Sequence, residues 1–150
     1  MIIQKAIVKK LVLLLLLSIA SVSGIIAQCI TIESFYEKNI FGKQYGGILS
    51  WELKKGIQIG GFYQFSLDRS KDLPVNYEFT GLYVDLPVYS AERLSLSASI
   101  RSGIANNRFI IIVPGIETTY QIMKSFYVAS VVALRAGEPA ISVKVIVKLF

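Results

Sequence analysis

The stretch IQIGGFYQFSLD, residues 57–68, decides the fold. Ile57, Ile59, Gly61, Tyr63, Phe65 and Leu67 fall on one face of an extended chain, and Gln58, Gly60, Phe62, Gln64, Ser66 and Asp68 on the other. Successive side chains of extended backbone point to opposite sides, so a period of two predicts a strand with one apolar and one polar face. The design recurs at 94–105, where Leu94, Leu96, Ala98 and Ile100 oppose Ser95, Ser97, Ser99 and Arg101. It recurs again at 141–149, where Ile141, Val143, Val145, Val147 and Leu149 oppose Ser142, Lys144, Ile146 and Lys148. Further strands are predicted at 45–53, 76–89, 109–122 and 125–136, and a weaker alternation through Ile30, Ile32 and Tyr36 gives an eighth at 30–38. The connections at 54–56, 69–74, 90–93, 106–108, 123–124 and 137–140 are mostly short enough for hairpins, which predicts an all-β, up-and-down antiparallel sheet. Pro114 and Gly115 sit inside one strand, where a missing N–H predicts a bulge or bend.

The N-terminal residues carry a different signal. Lys5, Lys9 and Lys10 precede an apolar run over 11–20 broken only by Ser18, and small residues follow at Ser21, Ser23, Gly24 and Ala27. This is the layout of a cleavable secretory signal peptide over 1–27, leaving a domain over 28–150; Ser23 to Gly24 is an alternative cut. The run is shorter than the ~20 apolar residues of a spanning helix, which argues against a membrane anchor. Cys29 raises a second reading, lipidation at a mature N-terminal cysteine, although Gln28 stands where such a site wants a small residue. A single thiol forms no internal disulfide.

Composition narrows the chemistry. The 150 residues include no His, which removes imidazole nucleophile pairs, metal ligands and general bases. Removing the three N-terminal lysines from the 16 Lys and Arg leaves 13 against 10 acids, a mild excess without the basic stripe of a nucleic-acid binder. No catalytic, cofactor-binding or metal-ligating residues are predicted. Ser142 and Lys144 share a face only as any alternating strand arranges them, and Gly46-Gly47 and Gly60-Gly61 lack the strand-to-helix context of a phosphate loop. The glycines fit strands that curve tightly or lie beneath an aromatic ring.

Eight such strands avoid exposed edges by closing into a barrel. In a soluble barrel the apolar face points inward around a ligand; in a membrane barrel it meets lipid. A spanning strand takes ~9 to 11 residues, so eight need about 80, and a domain over 28–150 supplies them with turns to spare. Charged residues make up only 17% of the chain and lie mainly in connections or opposite apolar rows. Aromatics gather near strand ends, Trp51, Tyr89, Tyr120 and Phe126 toward the end that carries the termini and Tyr45, Phe65, Tyr77 and Phe79 toward the other, as in two interfacial girdles.

With the export signal, the strand pattern, the stretch GLYVDLPVY at 81–89 and a last strand ending in Phe150, residues 28–150 resemble small bacterial outer-membrane β-barrels, the class of eight-stranded OmpA- and OmpX-like proteins. The resemblance implies an outer-membrane location, a lipid bilayer as partner, and recognition of the last strand by the barrel insertion machinery through a C-terminal aromatic. Phe150 departs from that pattern by falling in phase with Lys144 and Lys148, while Leu149 continues the apolar row. An eight-stranded interior is filled by side chains, so a plugged lumen is expected, with Glu52, Gln58, Gln64, Glu78, Arg101, Glu117, Arg135, Lys144 and Lys148 as its candidate polar network. The barrel enzymes of this class resemble one another in using a His, so a structural or accessory role is expected, as a subunit beside other envelope proteins in an export, conjugation or uptake assembly. The alternative is a soluble periplasmic barrel that binds a small apolar ligand.

Overall fold

The computed structural model describes residues 29–40, 42–66 and 77–149. The expected signal peptide, Leu67, Asp68, the connection over 69–74, Asn76 and Phe150 lie outside the described residues. Within them run eight strands: β1 (Cys29–Asn39), β2 (Gly42–Glu52), β3 (Gln58–Ser66), β4 (Glu78–Ser90), β5 (Leu94–Ala105), β6 (Phe109–Met123), β7 (Phe126–Arg135) and β8 (Glu138–Leu149). Each pairs antiparallel with the next, and β8 returns to pair with β1, so the sheet closes into an up-and-down barrel in which every strand has two neighbours.

Two local expectations change. Pro114 keeps a regular register, opposite Ile100, with Gly115 opposite Ser99. The ladder between β6 and β7 ends one residue short of it, at Gly115 and Ala133, so the missing N–H falls beyond that ladder and no bulge is needed. The irregularities lie instead between Pro87 and Tyr89 and between Gln121 and Met123, both near the barrel end that carries the termini. Strand β8 also starts three residues earlier than the alternation suggests. Ala136 and Gly137 make the turn alone, both at positive φ (51° and 83°), which leaves Glu138 and Pro139 free to pair with Arg135 and Leu134.

The two faces have opposite chemistry. Among the described residues 28 large hydrophobic side chains are exposed, Ile32, Leu49, Leu82, Ile112, Val132 and Val143 among them, against 12 buried hydrophobic residues. The buried set also holds Glu33, Glu37, Asp85, Arg101, Glu117, Arg135 and Lys144, all on inward phases. The apolar rows therefore point out and the charges point in, which overturns the alternative of apolar rows lining a ligand cavity.

Inward glycines make room for this interior. A Cβ on Gly46 would sit 2.4 Å from the Phe35 ring and 2.6 Å from the Tyr63 carbonyl oxygen, so the ring of β1 lies directly on the β2 backbone. Gly81 and Gly103 face each other across β4 and β5, each too close to the other strand's backbone for a side chain. Such inward glycines let a small barrel coil tightly.

Candidate functional site

The interior is built in layers, and the layer farthest from the termini draws on five strands. Glu37 of β1 accepts from Arg101 of β5, from Arg135 Nη1 of β7 at 3.0 Å, from Gln64 Nε2 of β3 at 3.1 Å and from Asn39 Nδ2 at 2.7 Å. Arg101 Nη1 donates back to Gln64 Oε1 at 2.8 Å, and Gln44 Oε1 accepts from both Arg135 and Gln64. Glu37 and Arg135 are wholly buried. Two charges taken this far from water are tolerated only where they are paired and hydrogen-bonded, and here Glu37 accepts from four side chains while Arg135 donates through Nη1 to both Glu37 and Gln44. Rings complete the layer: the Arg135 guanidinium lies 4.5 Å from the Tyr77 centroid and 4.9 Å from that of Phe79, and Arg101 lies 5.2 Å from that of Phe35. Phe79 in turn packs edge-on against Phe62 at 4.7 Å, and with Phe35, Ile48, Val113 and Val131 they form an apolar band that excludes water from the barrel's middle.

Below that band Lys144 of β8 is the hub. Its ammonium donates to Glu33 at 2.9 Å, Glu117 at 2.6 Å and the Tyr83 hydroxyl at 3.0 Å, which uses all three of its protons. The Tyr83 hydroxyl donates to Glu117 at 3.3 Å, and Thr119 donates to the other Glu117 oxygen at 3.3 Å. Nearest the termini, Lys148 pairs with Glu52, and its ammonium lies 5.0 Å from the Tyr127 ring centroid. Gln58 accepts from Ser50 at 3.3 Å in the same region.

Of the residues assigned to the lumen from the sequence, Gln64, Arg101, Glu117, Arg135 and Lys144 lie in these two buried layers, and Glu52, Gln58 and Lys148 at the more open end. Glu78 does not belong with them. It is exposed on the outer face, where the Tyr63 hydroxyl donates to it at 3.2 Å. The phase of β4 explains the error: Tyr83 and Asp85 are buried inward, and two-residue steps back from them put Phe79 inside and Glu78 outside. Two girdle assignments fall with it, because Tyr77 and Phe79 turn inward to stack on Arg135. Tyr45, Tyr89 and Tyr120 are exposed, and Trp51, Phe65 and Phe126 are half-buried on outward phases. Tyr36, Tyr45, Phe65 and Tyr63 form a continuous outer cluster with centroids 5.3 to 6.4 Å apart.

The two acids that complete the network, Glu33 and Glu37, were missed because β1 alternates poorly: Ser34 interrupts its outer row and Phe35 its inner one. Charge balance was the available signal. Four lumen cations on β5, β7 and β8, three of them buried, require acids, and with Glu78 outside only Glu52 and Glu117 are left of the acids expected there. Among the described residues, no group of three His, Cys, Asp or Glu is placed to hold a metal ion.

Comparison with solved structures places this architecture. A de novo designed transmembrane β-barrel superposes with a TM-score of 0.68 at 8% sequence identity, covering 82% of this chain and 97% of the design. The chain has the fold of a small transmembrane β-barrel. The N-terminal β-barrel domain of Pseudomonas aeruginosa OprF matches with a TM-score of 0.61 at 16% identity, over 82% of this chain and 98% of that domain. The designed barrel TMB2.3, solved by solution NMR, matches with a TM-score of 0.63 at 10% identity, over 81% of this chain and 96% of its own. No family model matches the chain, and no curated protein matches it.

Proposed function

We propose that this chain is a transmembrane β-barrel of a bacterial outer membrane, with a sealed lumen and a structural or accessory role rather than a catalytic one. The observation that carries the reading is the inversion of the faces: large hydrophobic side chains cover the outside while Glu33, Glu37, Arg101, Arg135 and Lys144 fill the inside. In water, apolar patches beyond a few hundred Å² are rare on monomers, and this belt encircles the barrel; in a bilayer the same belt is the stable arrangement. The N-terminal segment over 1–27 serves as the export signal in this reading, the last strand engages the insertion machinery, and the termini face the periplasm. The outer rows contact lipid, or over part of the circumference another envelope protein to which this barrel is the accessory subunit.

Fractionation combined with heat modifiability tests the proposal. The folded chain is expected in the outer-membrane fraction, resisting SDS until heated and shifting in gel mobility on boiling. Recovery in the soluble periplasm, with unfolding in cold SDS, would contradict it. Crosslinking in intact cells then tests the accessory role, which requires a discrete adduct with a second membrane protein.

A further inference from the structure

Among the described lumen acids, Glu33, Glu37, Glu52 and Glu117 each form a salt bridge with Lys or Arg, and Asp85 forms none. Asp85 is only 6% exposed, and its Oδ1 accepts no hydrogen bond. It lines a cavity of about 220 Å³ between the Lys144 layer and the barrel end that carries the termini, with exposed Lys55 and Ser90 on the rim. Isolated buried carboxylates are costly unless a cation reaches them, and here the space for one stands open.

We propose that this cavity binds a small aliphatic amine, its ammonium group on Asp85. The cavity has room for roughly seven waters at ~30 Å³ each, below the size of ordinary drug-like sites, which limits the guest to a handful of heavy atoms. Its walls suit both parts of such a molecule: Asp85, Ser97 and Glu117 offer oxygens to the N–H groups, and Pro87 and Ile146 offer apolar surface to a short methylene stem. An ammonium rather than a metal ion fits because only carboxylate, hydroxyl and amide groups scattered over several strands are present, and because the same barrel satisfies its other acids with Lys and Arg. The inference goes beyond the membrane reading, since the cavity and its unpaired acid belong to the interior whatever surrounds the barrel.

Putrescine titrated into the detergent-folded full chain, followed by calorimetry, tests this directly, with heat modifiability confirming the fold of every sample. Wild type is expected to bind one putrescine per chain, Asp85→Asn to bind at least tenfold more weakly, and Glu78→Gln, on the outer face, to bind as wild type does. Asp85→Asn is also expected to unfold at higher denaturant than wild type without amine, since it removes an unpaired buried charge, and to lose the stabilisation that putrescine confers on wild type. Ser97→Val, which keeps the carboxylate but crowds the cavity, should lose affinity in the same way and serves if Asp85→Asn does not fold. No saturable binding to wild type, equal binding by wild type and both lumen variants, or displacement of putrescine by equimolar K⁺ or Ca²⁺ would overturn the proposal.

Discussion

The two ends of the lumen solve the same electrostatic problem differently. At the end away from the termini, Glu37 meets two guanidiniums and two amides and is wholly buried. At the end that carries them, Lys148 and Glu52 stay partly wet, their side chains 28% and 16% exposed, and Asp85 has a cavity beside it where the other end has Arg135. One end is a seal whose charges are fixed by protein; the other is a vestibule whose charges are shared with solvent. The apolar band through Phe35, Phe62 and Phe79 lies between them.

Substitutions should reveal that difference as a gradient of cost. The largest effect is expected from Glu37→Leu, which strands Arg101 and Arg135 together in a dry interior. Removing one partner of a buried pair costs about 3–5 kcal/mol, so this variant should lose at least that much in urea unfolding from detergent micelles or vesicles, or fail to fold. A smaller loss, about 1–3 kcal/mol, is expected from Gly46→Ala, because the new methyl displaces the Phe35 ring on which Arg101 rests. Lys148→Met should cost about 1 kcal/mol or less, since its pair is reached by water. Equal losses for Glu37→Leu and Lys148→Met would erase the distinction between seal and vestibule.

Much of the fold was legible because alternation is loud where one face is uniform. In β3, β5 and β8 the apolar rows are nearly unbroken, and their registers follow from period and turn alone. Strand β4 shows where that logic fails. Tyr77, Phe79, Tyr83 and Tyr89 share one phase of its alternation, which reads as an outer aromatic row with Glu78 opposite it; the register shift between Pro87 and Tyr89 instead leaves Tyr89 outside while Phe79 and Tyr83 point in. Asp85 could have chosen the face: a carboxylate in midstrand must point to the lumen, and that single constraint places Tyr83, Phe79 and Glu78 correctly. Most interior aromatics are there for a reason the sequence hides, since Phe35, Tyr77, Phe79 and Tyr83 each face a cation contributed by a strand that is distant in the chain, as Arg135 does for Tyr77. The pairing of Glu37 with Arg101 and Arg135 was equally hidden, because it joins β1 to β5 and β7 across the lumen rather than along a hairpin. Neighbouring strands are linked by turns that can be read locally; contacts across the interior depend on closure.

The single tryptophan offers the most direct test of the central claim that the outer rows face hydrocarbon. Trp51 sits on an outward phase between Ile30 and Ile59, near the barrel end that carries the termini. With the chain folded into vesicles, its fluorescence should be quenched strongly by lipids brominated or spin-labelled near the headgroup end of the acyl chain, and weakly by aqueous iodide. Strong iodide quenching with no response to the labelled lipids would contradict the account.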